Sequence, residues 1–346
     1  LRLLLAALLA FAGCLSLAAS LSAAPNAGEI LPLDQVRPGM QGYAYTIFAG
    51  DQIEKFDLEV IGVMPNFLGP KQSIILVQLK GPKVEHTGVV AGMSGSPVYL
   101  EGKLAGALSL KLGIFTKEPI AGVTPIQDVL QPEPASGESR AALQPFSLPG
   151  DVASHSALPS GSSLEPIDTP LVFSGFQPGT LQQFAPQLAG YGFLAAQGGT
   201  AAPRPDDAQL RPGDMAGMVL VQGDASISSA CTVTAIRDGR VYLCGHPFLK
   251  LGGVNLPMAR SHVLTTLSSD LSSTKIVNVG GPIGTITEDH LTAVIGKLGP
   301  PPPLVPLDLT VVAGGAEKKY HFELVNHPKL TPLLVAITTL NGLTQN

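Results

Sequence analysis

The sequence predicts an all-β protein of two lobes, each a β-barrel, with few short helices. Three observations lead there. Candidate strands are short and are separated by turn residues, with 39 glycines and 31 prolines in 346 residues and no tryptophan. Only 14% of residues are charged against 45% apolar, a balance that suits half-buried strands better than long amphipathic helices. Two strand-rich stretches, 31–130 and 171–346, flank a Pro-, Ser-, Gly- and Ala-rich stretch, 131–170, that reads as a linker between lobes. Each stretch is long enough for its own core and neither carries a helical layer, so paired barrels are expected, with a single large sandwich as the alternative.

Residues 1–24 join Arg2 to a Leu/Ala run that ends Ser22-Ala23-Ala24, the pattern of an export signal. A retained membrane anchor is the other reading. An exported location is expected either way (periplasmic, secreted or membrane-anchored), with membrane association through this segment in the anchored case. Tyr43–Phe48 and Ile53–Met64 alternate in polarity around Ala49-Gly50-Asp51, which predicts a hairpin with Phe56, Leu58 and Val60 inward. Ser73–Leu79, Val98–Leu100 and Leu104–Leu110 are further strands, and Thr124-Pro125 predicts the start of a short helix reaching Leu130. A second short helix is expected near Leu181–Leu188. In the second lobe the candidate strands are Met218–Val221, Ala230–Arg237, Val241–Cys244, Val263–Leu267, Lys275–Val279, Gly284–Thr287, Leu291–Ile295, Leu307–Val312 and Tyr320–Val325. Pro300–Pro303 is a stiff connector, Thr331-Pro332 opens a closing helix, and Gly280-Gly281-Pro282-Ile283-Gly284, lacking a phosphate-binding lysine, reads as a turn.

A formal net charge of −5 with no basic tract excludes a nucleic-acid footprint. Of three cysteines, Cys14 falls in the export segment. Cys231 and Cys244 flank an Asp238-Gly239 hairpin turn, so they are either a disulfide or two separate buried thiols. Two cysteines without matching histidine spacing do not make a zinc pattern, and no metal or cofactor is expected.

Gly92-Met93-Ser94-Gly95-Ser96-Pro97 is the most informative stretch. A serine between glycines, in a tight loop between apolar strands, is how a serine peptidase presents a nucleophile. The N–H groups of Gly92 and Ser94 would then form an oxyanion hole, and Gly95 would supply backbone angles that other residues avoid. The bland alternative is an ordinary β-turn. Ser96 is expected to shape the loop. A nucleophilic serine needs a base, and of seven histidines His246, in Cys244-Gly245-His246-Pro247 at the end of a strand, is best placed. His86 lies in a polar segment that reads as a solvated loop. For the carboxylate that orients the imidazole, Asp224, Asp270, Asp289 and Asp308 all compete, and Asp289 is preferred.

Gly92-Met93-Ser94-Gly95-Ser96-Pro97-Val98-Tyr99, followed by Gly102-Lys103-Leu104 and Gly106-Ala107, resembles the serine motif of the SpoIVB peptidase family, sporulation serine peptidases related to the chymotrypsin-like clan. The likeness extends upstream through Glu54–Val60. Thr232-Val233-Thr234, Gly245-His246-Pro247 and Ile283-Gly284-Thr285-Ile286 are similar to the family's histidine segment. The resemblance implies chymotrypsin-like barrels, Ser94 as nucleophile, His246 as general base, and a protein or peptide substrate. Two features depart from the family pattern. The serine segment precedes the histidine segment here, so the halves read as permuted. The stretch upstream of the serine, Leu79–Lys83, holds no aspartate where the family has one. An exported serine endopeptidase, with self-processing of the 131–170 linker as a variant of it, is the leading reading. A peptidase-fold binding or scaffold protein without turnover is the alternative.

Overall fold

A computed structural model describes residues 29–112, 117–131, 146–147, 163–189, 193–202 and 204–344. Residues 1–24, where an export signal is expected, with Cys14, and most of the 131–170 stretch, lie outside these residues.

In the first lobe, β1 (Gln41–Ile47), β2 (Ile53–Gly69), β3 (Gln72–Lys80), β4 (Pro97–Leu100), β5 (Lys103–Leu112) and β6 (Ile120–Pro125) form a closed antiparallel barrel. Its ring order is β1-β2-β3-β6-β5-β4, and β4 returns to β1. Alternation along β2 turns Phe56, Leu58 and Val60 inward against Ile75, Val77, Val98 and Val123, as the sequence pattern requires. β7 (Phe146–Ser147) and β8 (Ser163–Pro166) extend the sheet from the end of β5. The last part of the expected linker is therefore an added strand of the first lobe.

The second lobe begins with β9 (Thr169–Ser174), β10 (Phe193–Gln197) and β11 (Gly199–Thr200). It continues with β12 (Met215–Gly223), β13 (Ser226–Ser229), β14 (Cys231–Arg237), β15 (Arg240–Leu243), β16 (Gly252–Leu267), β17 (Thr274–Asp289) and β18 (Val294–Leu298). Six of these close a second ring, β12-β14-β15-β18-β17-β16, with β16 returning to β12. Taken in chain order, both rings run first, second, third, sixth, fifth, fourth. The paired-barrel expectation is thus met, and the two barrels share one topology. The second core gathers Met218, Val233, Val241, Leu243, Leu256, Met258, Ile286 and Val294. A hairpin of β19 (Val305–Ala313) and β20 (Ala316–Leu324) and the helix Thr331–Thr344 finish the lobe. Among the described residues no helix is long and apolar enough to cross a membrane.

Some local expectations change, each for a physical reason. The expected helix start at Thr124 is instead the end of β6; the helix occupies Ile126–Leu130 and has no side-chain cap. The Thr124 hydroxyl is used across the lobes, donating to the Gly245 carbonyl at 2.8 Å. Gly280-Gly281-Pro282 is not a turn, because β17 runs straight through it. The register puts Ala259 opposite Pro282 and Met258 opposite Gly284, so Ile283 is an extra residue, a bulge that accommodates the proline. Gly284 itself must be glycine, since a Cβ there would lie 2.1 Å from the Lys297 carbonyl oxygen. His86 sits in a short helix, Pro82–Thr87, where a loop was expected.

Candidate active site at the seam of the two barrels

Ser94 lies in the loop that leads into β4, the fourth strand of the first ring. Both flanking glycines have left-handed backbones, with φ of 93° at Gly92 and 91° at Gly95. At Gly95 there is no room for a side chain, because a Cβ would meet the Thr232 carbonyl oxygen at 2.0 Å and the Cys244 nitrogen at 2.6 Å. The first lobe's loop is thus pressed directly onto the second lobe, and β14 holds it there. Thr232 N–H donates to the Ser94 carbonyl at 2.7 Å, Thr232 Oγ1 to the Gly92 carbonyl at 2.9 Å, and Thr234 Oγ1 to the Gly95 carbonyl at 2.7 Å. Ser96 shapes the loop as expected, its hydroxyl and its N–H both donating to the Met93 carbonyl.

His246 lies in the loop between β15 and β16, the corresponding third-to-fourth connection of the second ring. Cys244 and Gly245 both take positive φ, 68° and 70°, and this reverses the chain and carries the imidazole into the seam. A non-glycine residue in that region needs support. Cys244 has it from a disulfide to Cys231 on β14 and from its own N–H, which donates to the Thr232 carbonyl. The cysteine alternatives left open by the sequence resolve to a disulfide. The hairpin between the two cysteines turns through Asp238 and Gly239, both left-handed, as an Asp-Gly pair favours.

The two loops meet at the Leu108 carbonyl. Gly95 N–H donates to it at 2.7 Å, and a Cβ on Gly245 would lie 3.3 Å from the same oxygen. Ser94 is fully buried and His246 is 4% exposed. Among the described residues, Ser94 Oγ and His246 Nε2 both lack a hydrogen-bond partner, so they are not bonded to one another in this arrangement. The imidazole uses Nδ1 on the Pro247 carbonyl at 2.8 Å. A neutral ring donating from Nδ1 leaves Nε2 as a lone pair, the form a proton acceptor needs. Burial pushes the His246 pKa below the ordinary histidine value, opposed by the Pro247 carbonyl, the Asp168 carboxylate and the Ile167 carbonyl.

Asp289 does not orient the imidazole directly. Its carboxylate is fully buried and accepts the N–H groups of Phe248, Leu249 and Leu251 at 2.7, 2.7 and 3.1 Å. It pins the chain that continues from His246 and reaches the histidine only through that loop. Burial raises its pKa, and the three backbone donors act the other way. Two of the competing aspartates also lie elsewhere. Asp224 accepts the His321 N–H, and Asp308 pairs with the His321 ring on an exposed hairpin.

Three side chains at the site were not anticipated. Asp168, at the end of the supposed linker, has a carboxylate whose charge acts on His246, and its backbone carbonyl accepts the Gly92 N–H at 3.3 Å. Lys111 pairs with the Asp168 carboxylate at 2.7 Å. Lys275 is wholly buried beneath the serine loop, bonded to Thr46 Oγ1 at 2.6 Å and the Gly92 carbonyl at 3.3 Å, and burial pushes its pKa down to about 7. A lysine opening a strand gives no sign of such burial in sequence. The Thr-x-Thr alternation at 232–234 was a usable sign, since strand geometry aims both hydroxyls to one side.

Residues 13–127 match the family model described as SpoIVB peptidase S55. The match spans the entire first barrel, Ser94 included, and ends at Gln127, so the barrel that carries His246 lies beyond it. No curated protein matches the chain.

Proposed function

We propose that the chain is an exported serine peptidase of the SpoIVB type in which Ser94 is the nucleophile and His246 the general base. The observation that supports the reading is that two buried, unpartnered atoms, Ser94 Oγ and His246 Nε2, belong to loops whose backbones touch at one interlobe seam. The S55 match over the serine-bearing barrel supports it. In the reaction Ser94 Oγ attacks the substrate carbonyl carbon while His246 Nε2 takes its proton. The N–H groups of Gly92 and Ser94 hold the oxyanion. The tetrahedral species collapses by breaking the C–N bond, and the leaving amine takes the proton from the imidazolium. Water then repeats the sequence on the ester and frees Ser94. Asp289 keeps the histidine loop in place. The export pattern of residues 1–24, the permuted order of the halves and processing of the chain's own linker belong to the same reading.

The test is hydrolysis of unfolded protein substrates by the purified chain and by Ser94→Ala, with intact mass recorded for both. Turnover lost in Ser94→Ala supports the peptidase. Equal turnover in the two proteins contradicts it. One observation favours a second reading, a binding protein that keeps the fold without turnover. Among the described residues no carboxylate is hydrogen-bonded to His246, and loss of an orienting aspartate alone lowers kcat about 10⁴-fold. Under that reading a folded wild-type chain neither hydrolyses substrate nor takes up a fluorophosphonate.

A further inference from the structure

The seam already contains a peptide, and it belongs to the chain itself. Along β5, the ring partner β4 reaches only as far as Ala107. From Leu110 that edge is taken by β8, antiparallel, with Leu110 opposite Pro166, Lys111 opposite Glu165 and Leu112 opposite Leu164. The added strand continues toward the serine. Ile167 N–H donates to the Ser109 carbonyl at 2.9 Å, and the Asp168 carbonyl accepts the Gly92 N–H at 3.3 Å, one of the two proposed oxyanion donors. Ile167 and Asp168 adjoin His246. Leu164 and Ile167 are fully buried. Lys111 reads the acids of the segment, with Nζ 2.7 Å from Asp168 and 3.6 Å from Glu165. Past Asp168 the chain crosses into β9 of the second lobe, so the segment spans the seam. Backbone pairing along a sheet edge supplies affinity in this mode of recognition, and side-chain contacts supply selectivity.

We infer that this site takes an extended peptide added antiparallel to β5, with an acidic residue supplying the carbonyl at Gly92 and Lys111 selecting that acid, and that Leu164–Asp168 is a built-in occupant standing in for it. The inference rests on the peptidase reading for the cleavage step, not for binding itself. The occupant explains why Ser94 and His246 are sealed from solvent: an incoming substrate must first displace it. Asp168 is then the occupant's counterpart of the residue before the scissile bond, and Lys111 the specificity-determining residue.

The experiment uses a fluorescent heptapeptide with the sequence of residues 163–169, and a second with asparagine in place of its aspartate. Binding by anisotropy and cleavage by mass are measured with the full chain, with Asp168→Ala, and with Asp168→Asn, which keeps the side-chain shape. Weakening the occupant's latch is expected to tighten peptide binding about ten- to hundredfold, the worth of one charged hydrogen bond. The aspartate peptide is expected to win over the asparagine peptide by a similar factor. Lys111→Glu is expected to reverse the preference toward a peptide with lysine at that position. Equal binding of the aspartate and asparagine peptides, no gain in either Asp168 variant, or an unchanged preference in Lys111→Glu would overturn the inference. The two readings fail separately. Acid-selective binding without cleavage, unchanged by Ser94→Ala, refutes the peptidase and leaves the groove. Ser94-dependent cleavage with no Lys111-dependent acid preference does the reverse.

Discussion

The connection between the third and fourth ring strands carries a hydroxyl in the first barrel and an imidazole in the second, yet the two loops are held in opposite ways. Beside its own-lobe bond from the Gly95 N–H to the Leu108 carbonyl, the serine loop takes three side-chain bonds from the other lobe, through Thr232, Thr234 and Lys275. The histidine loop is fastened largely from within its lobe, through the Cys231–Cys244 disulfide and the three N–H bonds to Asp289. The serine geometry therefore leans on the docked second lobe, whereas the histidine geometry is held mainly by the second barrel itself. A site divided in this way depends first on the seam.

The largest effect should come from breaking the seam at its closest approach. Gly95→Val puts a Cβ where the Thr232 carbonyl oxygen lies, at a left-handed backbone angle, and should cost more than about 3 kcal/mol by urea unfolding. A cost under about 1 kcal/mol would mean the lobes are not so closely docked. Next, replacing both Cys231 and Cys244 by serine should cost about 2–5 kcal/mol, as removal of a native disulfide does, and the loss should concentrate in the second barrel. Hydrogen exchange that loosens both barrels equally would contradict the asymmetry. Smaller still, Thr234→Val removes a hydroxyl donor from the Gly95 carbonyl and should cost about 1–3 kcal/mol. Thr232→Val should cost less, because the Gly92 carbonyl keeps Lys275. Thermal denaturation of the pair checks the order.

A separate test lies in pH dependence. Lys275 has its pKa lowered by burial to about 7 from 10.5, so between these values the unfolded chain binds more protons than the folded one. Stability from this group therefore rises as pH increases through that window and reaches its full value above it. Lys275→Met should flatten the slope there, measured by urea unfolding at stepped pH. An unchanged slope would show that the lysine is not buried.

Most of the strand content was legible because alternation is a local signal. β1 and β2 follow from it, and Asp238-Gly239 names its own turn. The close approach of the Ser94 and His246 loops was legible because glycines mark the places where backbones must come together. What sequence hid was tertiary. Asp289 looked like an orienting carboxylate because it ends a strand of the histidine lobe; which N–H groups it would meet depends on how β17 packs beside the loop after His246. The 131–170 stretch had linker composition throughout, and nothing local in Ser163–Asp168 announces an exposed sheet edge waiting at β5. Lys111 carries its meaning only once that edge is filled.

In the proposed mechanism Ser94 and His246 act as one unit across the seam. The pH dependence of fluorophosphonate labelling, with the adduct mapped by mass in wild type and in His246→Gln, tests it most directly. Labelling should fall on Ser94 and accelerate with pH through one ionisation below the ordinary histidine value, since burial favours the neutral ring. In His246→Gln it should be slower by about 10²–10⁴-fold and lose that ionisation. An adduct on another residue, or the same rate and pH profile without the imidazole, would contradict the claim.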